Sequence, residues 1–357
     1  MAAINLNLNE LAIEDEDTEF IQLLLANAPD SRRKVTYNPA WPRFNLAELT
    51  DDQCLDKFRF KKDDDIYRLS NLLGVPESIQ LKNASTCNGI DTVCVLLRRF
   101  AYPNRLSDLE ELFGRPKSTL SLIINQLVDF LYTSHHHRFL SLDNPWLDAA
   151  HLQLYADTIH NKGAPLQNCI GFVDGTVRPI CRPTRYQRVC FNGHRRIHAL
   201  KFQSVVIPCG LITHLYGPVE GRRHDSALLR ISGLMEQFEA RDFTDRNGIP
   251  YALYGDTAYP LRRYLISPFR GANLRAEEEE FNTRMSSVRE CAEWEFGKML
   301  KIFAFLDFRK NLKVLLSPVA KYYLVGGLLN NCHTCLYGNQ TSKFFQLEPP
   351  SLEDYLA

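Results

Sequence analysis

The sequence has no uninterrupted apolar run of the length a membrane span requires, which sets aside a helical membrane protein. No basic start followed by an apolar core opens the chain, so no secretory signal is read there. Net charge is missing too. Forty-two basic residues face 42 acidic ones, so no global field pulls the molecule toward nucleic acid. The 10 cysteines are scattered rather than clustered, which fits reduced thiols in a cell interior better than a disulfide framework. Internal repeats and low-complexity tracts are also absent. What these absences leave is a globular protein of the nucleus or cytosol, and 357 residues suffice for one large domain and a smaller one.

Residues 1–43 read as a flexible acidic tail and linker, with Glu14-Asp15-Glu16-Asp17 as a solvated charge run and Arg32-Arg33-Lys34, Pro39 and Pro42 as punctuation. Residues 44–150 read as a helical region. Short amphipathic helices are expected over 46–73, and a sharper pattern runs over about 86–133. There Val93, Leu96, Leu97 and Phe100 recur at helical spacing. Ser107-Asp108-Leu109-Glu110 fits a capping box, Gly114 a helix end, and Pro116 the first turn of a new helix with Leu120, Ile123, Ile124, Leu127, Phe130 and Leu131 on its buried face. Two helices joined by Gly-Arg-Pro read as a helix-turn-helix. In its DNA-binding form Arg115, Lys117, Ser118 and Thr119 would reach phosphates or base edges; in its ordinary form it is a helical hairpin. Residues 134–167 read as a connector, and His135-His136-His137 as a solvated run, because consecutive helical residues do not face one another.

The second half alternates strand-like and helical patterns, as an α/β layered domain does. Ile170-Gly171-Phe172-Val173 stops at Asp174, alternation follows over 197–207 and 211–216, and Ala252-Leu253-Tyr254-Gly255 ends at Asp256. In open α/β sheets ligands sit beyond strand carboxyl ends, and a carboxylate there is costly unless something binds it. Asp225 opens a helical stretch over 226–238, where capping is the alternative role. A long helix over 281–303 carries Glu293 and Glu295 on either side of an apolar stripe, and helix phase alone favours neither. Clustered carboxylates repel unless a cation neutralises them, and an oxygen-only set suits Mg²⁺ or Mn²⁺. Two such ions serve in-line phosphoryl displacement. Arg178, Arg182, Arg185, Arg188, Arg195 and Arg196 follow the first aspartate, and Arg222-Arg223 precede Asp225. They would hold a phosphodiester, or merely keep a hairpin solvated. Cys332-His333-Thr334-Cys335 lacks a second pair and reads as buried thiols rather than a zinc site.

At these residues the chain resembles transposases of the PIF/Harbinger superfamily and the nucleases derived from them. The matching blocks are Val173-Asp174-Gly175-Thr176, Gly221-Arg222-Arg223-His224-Asp225-Ser226, Gly255-Asp256-Thr257-Ala258-Tyr259-Pro260-Leu261, and Phe281-Asn282 through Glu293-Trp294-Glu295-Phe296-Gly297. The resemblance covers about residues 165–335. It implies an RNase H-like catalytic domain, preceded by the helix-turn-helix region and followed by a C-terminal tail over 336–357. It assigns Asp174, Asp256 and Glu293 to catalysis, Asp225 to the same metal set, and Mg²⁺ or Mn²⁺ as cofactor. The spacing from Arg289 to Glu293 and on to Phe296-Gly297 is what selects Glu293. Two positions depart from the pattern: Leu329-Asn330-Asn331 stands where a Leu-His-Asn segment is usual, and Ala258 replaces a glycine. The implied activity is metal-dependent DNA cleavage, with 3′-end joining in a transposase. The alternative is a domesticated factor that binds DNA or protein without cutting. DNA, a Myb/SANT-like protein and a second copy of the chain are the expected partners, no membrane is expected, and the nucleus, with some cytoplasm, is the expected location.

Overall fold

The computed structural model describes residues 15–26 and 41–357. Helix α1 (Asp15–Leu25) begins within the acidic run, yet Phe20 is 0% exposed and Leu24 3%, and the Phe20 ring lies 5.2 Å from that of Tyr186. Burying each such side chain contributes about 1.5–3 kcal/mol, so this stretch is docked and the expected solvated tail is corrected there. Arg32-Arg33-Lys34 and Pro39 lie outside the described residues.

Two short helices follow, α2 (Asp51–Phe58) and α3 (Tyr67–Leu72), the first opened by a reciprocal cap between Thr50 and Gln53. A small antiparallel hairpin, β1 (Ser78–Gln80) with β2 (Thr86–Asn88), leads into α4 (Gly89–Ala101). Helix α5 (Glu110–Phe113) ends on Gly114 in the left-handed region, and α6 (Lys117–His135) starts three residues later. An added Cβ at Gly114 would lie 2.2 Å from the Pro42 carbonyl oxygen, so the turn needs glycine for space as well as for conformation. The expected Ser107–Glu110 box does not form. The helical turn begins earlier, Asp108 accepts from the Arg105 N–H, and Glu110 instead accepts from the Lys117 N–H across the turn. The expected buried face of α6 is present, with Leu120, Ile123, Ile124, Leu127 and Leu131 buried and Phe130 packed partly against them.

The run at His135–His137 is not simply solvated. His135 is buried against the Leu73 carbonyl, and His136 bonds the Tyr132 carbonyl while stacking on its ring. Nor is the following segment a mere connector. Helix α7 (Ala149–Asn161) buries Leu152, Tyr155, Ala156 and Ile159, one stripe at helical spacing, and packs on the first long strand of the sheet.

That strand is β3 (Cys169–Pro179). After it come α8 (Gln187–Cys190), β4 (Phe191–Asn192), β5 (Ile197–Val206) and β6 (Ile212–Glu220). The helical stretch after Asp225 is two helices, α9 (Asp225–Ile231) and α10 (Leu234–Arg241), parted by Gly233 at φ 64°. Strands β7 (Ala252–Tyr254) and β8 (Leu265–Ile266) complete the sheet, and α11 (Ala276–Ile302) crosses β3 and β5. Spatial order is β4-β5-β3-β7-β8, with β6 beside β4 on the outer edge of β5. β3, β5 and β6 are antiparallel, whereas β7 and β8 run parallel to β3. The sheet is therefore mixed, in an α/β layered domain.

The chain closes with α12 (Val319–Tyr337), α13 (Gln340–Phe345) and α14 (Leu352–Leu356). Residues 336–357 are no loose tail: Phe345, Leu352 and Tyr355 are buried, and Arg138 donates to the carbonyls of Tyr355, Leu356 and Ala357. One buried cluster runs from Phe20 through the α4–α6 pair to Leu356. The helical region and the sheet region thus share a core. Helix α6 is tied to α12 by Tyr322 Oη donating to Asn125 at 2.6 Å and by the Lys321–Asp129 ion pair.

Candidate active site

Strand register brings the first two aspartates together. Phe172 of β3 and Tyr254 of β7 are parallel partners, and each strand reaches its aspartate two residues further on, Asp174 and Asp256. Side chains alternate along a strand, so both carboxylates leave the same face, beyond the end of β7. Strand β3 does not stop at Asp174 as its apolar run suggests. It continues to Pro179 because β5 pairs it there, with Asp174 opposite Ser204. The carboxylate therefore sits mid-strand on one side and at an open crevice on the other.

Glycines make the crevice close-packed. A Cβ at Gly175 would lie 2.7 Å from Asp225 Oδ1 and 3.5 Å from the Tyr259 hydroxyl, and one at Gly255 would lie 2.8 Å from the Tyr259 ring. Tyr259 is 0% exposed and its hydroxyl has no hydrogen-bond partner. Burial, reinforced by the charges of Asp225, Asp174 and Asp256, holds its pKa well above the usual range. Asp256 accepts from the Ala258 N–H at 2.8 Å, so the alanine in that block keeps the turn's backbone contact.

Helix α11 supplies the third element. Arg289 Nη2 donates to Asp174 Oδ1 at 2.9 Å, and its Nη1 lies 3.7 Å from Glu293 Oε1 one turn later. The Asp174 carboxyl is pushed up to about 6: burial is the main cause, the charges of Asp256 and Glu293 add to it, and Arg289 opposes it. Glu295 points the other way. It is 1% exposed and accepts from Asn339 Nδ2 and Thr341 Oγ1, each at 2.7 Å. The choice that helix phase left open is therefore resolved in space: Glu293 borders the aspartates and Glu295 belongs to the core.

Asp225 is neither a helix cap nor a bare carboxylate. His224 holds the cap position, and Asp225 Oδ1 is 2.6 Å from Lys201 Nζ, a lysine 5% exposed on β5 that also donates to the Arg223 carbonyl at 2.7 Å. Lys201, Arg289 and Tyr259 are the site residues that sequence reading missed as participants. Their signal was faint: a lone lysine inside an apolar strand, a spacing marker and one aromatic in a matched block.

The arginines divide. Arg195 and Arg196 are exposed in the turn before β5, and Arg222 is exposed before α9. Arg223 turns inward onto buried Glu220, and Arg178 lies against Thr176 and over the Phe296 and Tyr323 rings. At the start of α6, Lys117 is exposed and Ser118 half-buried, while Arg115 lies 3.9 Å from Asp91. Thr119 is buried, so the expected reach of that side chain to DNA is corrected. Cys332 is a buried free thiol and Cys335 a partly buried one.

Among the described residues, no three His, Cys, Asp or Glu side chains are closed on one point as a ready chelate. The four-carboxylate cage expected from the sequence is thus not preformed. The donor set still fits a divalent cation in type, being all oxygen and mutually repelling. A cationic group already bridges part of it: the guanidinium touching Asp174 and Glu293.

The site is thus a pair of aspartates on neighbouring interior strands of a mixed sheet, with a glutamate-bearing helix across them, in an α/β domain. Residues 173–331 match the DDE superfamily endonuclease family. Asp174, Asp225, Asp256 and Glu293 all fall inside the match. The chain is 25% identical over 236 residues to Protein ALP1-like of Arabidopsis thaliana, covering 63% of this chain and 55% of that protein. It is 28% identical over 144 residues to the probable transposase for insertion sequence element IS702 of Microchaete diplosiphon, covering 40% of this chain and 50% of that one. The chain spans about half the length of these curated relatives. No solved structure matches it.

Proposed function

We propose that this protein is a metal-dependent DNA endonuclease or transposase whose carboxylates act on the phosphodiester backbone. The observation that carries the reading is the register-locked adjacency of Asp174 and Asp256, with Glu293 bordering them on α11. The sheet order, three antiparallel strands followed by two parallel ones, supports an RNase H-like description of the domain.

Asp174, Asp256 and Glu293 would hold Mg²⁺ or Mn²⁺. The chemistry a bound ion would supply there is activation of a water or a 3′-hydroxyl and stabilisation of a leaving oxygen. The residues of this chain do the remaining work. Burial beside β5 keeps Asp174 from swinging into solvent, and the Ala258 N–H fixes one oxygen of Asp256. Lys201 offsets the Asp225 charge, so Asp225, close beside Gly175, would join the metal set as a paired rather than a free anion. Arg195, Arg196, Arg222, Lys117 and Ser118 would contact phosphates, which positions DNA without reading its sequence. Arg115 would join them from the turn. In the helix-turn-helix reading the start of α6 would face DNA, while other parts of the helix pack on α4 and α12. Arg223 is removed from this set by its pairing with Glu220. A Myb/SANT-like partner, self-association and a nuclear location belong to the same reading.

A second reading, a DNA- or protein-binding factor without cleavage, is favoured by one observation: Asp174 is paired with Arg289 rather than open. The test is nicking of supercoiled plasmid with Mg²⁺ or Mn²⁺ by the full chain and by Asp174→Ala and Asp256→Ala. Metal-dependent nicking that both substitutions abolish is the expected result. Binding without nicking establishes the second reading instead.

A further inference from the structure

We propose that Arg289 is the resident cation of this site, and that a divalent ion enters only by displacing its guanidinium from Asp174. This rests on the reading of Asp174 and Glu293 as metal ligands, and adds a residue that competes with the metal.

The Asp174 side chain is 13% exposed and Arg289 16%, so the 2.9 Å pair is largely withdrawn from water. A carboxylate in that position needs a positive neighbour, and the guanidinium supplies it. The same guanidinium lies 3.7 Å from Glu293, so one cation leans on two candidate ligands. An ion taking Asp174 oxygens at coordination distance would stand where Nη2 now donates, and two cations do not share that contact without strong repulsion. The guanidinium is also incompletely held. Its Nε is buried with no hydrogen-bond partner, so the carboxylates are held by the two terminal nitrogens alone. Lys201 makes the contrast, since its ammonium has both the Asp225 oxygen and the Arg223 carbonyl.

Two consequences follow. Metal-free protein keeps the acidic cluster assembled through Arg289. Apparent metal affinity is lowered by the free energy of breaking that pair, just as a ligand binds more weakly when its competent state is only fractionally populated.

The experiment is a Mn²⁺ titration followed by the EPR signal of free Mn²⁺, with melting temperatures measured without metal and at saturation. It uses the full chain, Arg289→Gln, and Arg270→Gln as a control for charge near the site. Arg270 is exposed and donates to the Tyr259 carbonyl at 2.8 Å. Arg289→Gln is expected to bind Mn²⁺ about tenfold tighter or more, to melt lower without metal, and to recover that loss at saturation. Arg270→Gln is expected to change affinity by no more than about twofold. Equal affinity in the full chain and Arg289→Gln overturns the displacement while leaving the metal reading intact, and so does equal tightening by both substitutions. Absence of Mn²⁺ binding in every protein overturns the metal reading itself. Should Arg289→Gln not fold, Arg289→Lys, which cannot span both carboxylates with one fork, is expected to shift affinity in the same direction by less.

Discussion

Glu293 and Glu295 lie two residues apart on α11 and meet opposite fates. Glu295 is enclosed by neutral donors from α13 and its leading cap, and burial pushes its carboxyl up despite the nearby Lys298. Glu293 is 68% exposed and lies beside an arginine that is also engaged with Asp174. A carboxylate supplied with hydrogen bonds by its own fold is a structural group. One left on the border of two aspartates, with its valence open, is available for chemistry.

The largest effect that would break this contrast is on cleavage. Glu293→Gln should lower metal-dependent nicking by about 10²–10³-fold, a loss of roughly 3–4 kcal/mol in barrier terms. Its urea midpoint should stay near that of the unaltered chain, because an exposed side chain is being changed. Glu295→Ala should do the reverse. It strands the Asn339 and Thr341 donors and opens a cavity, which costs about 3 kcal/mol of stability, while nicking per folded molecule is retained. Equal loss of activity in both variants would erase the distinction.

A slightly smaller effect concerns pH. An aspartate has a pKa near 3.9 when unfolded, and Asp174 is raised to about 6 in the fold. Between those values the native state binds more protons than the unfolded one, so this group makes stability fall as pH rises from about 4 to about 6. The full cost, of order 2–3 kcal/mol at most, is present above pH 6 and absent below pH 4. Metal-free Asp174→Asn should therefore gain on the unaltered protein at pH 7 but not at pH 4 in denaturant titrations. A gain of equal size at both pH values would contradict the electrostatic account of the site.

The smallest effect separates Arg222 from Arg223. Arg222→Ala should weaken DNA binding modestly and reduce the salt slope by about 1, as loss of one phosphate contact does. Arg223→Ala should leave that slope alone and destabilise the fold, since it unpairs buried Glu220. Fluorescence anisotropy at several salt concentrations, with a melting curve for each variant, distinguishes them.

Much of the sheet was legible in the chain because its signals are local. The apolar run before Asp174, the alternation before Pro208 and the short run before Asp256 became β3, β5 and β7, and the long helix extended five residues further at its start. Helix α7 was legible in principle, since Leu152, Tyr155, Ala156 and Ile159 repeat at helical spacing inside a stretch read as a connector. The buried apolar residues of 336–357 carried a similar signal. What no local pattern could show is pairing across distance. Lys201 meets Asp225, Arg289 meets Asp174, and Glu295 meets Thr341, each through tertiary packing rather than through neighbours in sequence. Adjacent Arg222 and Arg223 read alike in the chain, yet Arg222 is exposed and Arg223 turns onto buried Glu220.

Anomalous diffraction from Mn²⁺-soaked crystals of the full chain tests the central claim most directly. The account predicts a peak coordinated by both Asp174 and Asp256, on the side bordered by Glu293, with the Arg289 guanidinium moved off Asp174. No peak at those aspartates, under conditions where Mn²⁺ binds the protein in solution, would contradict it.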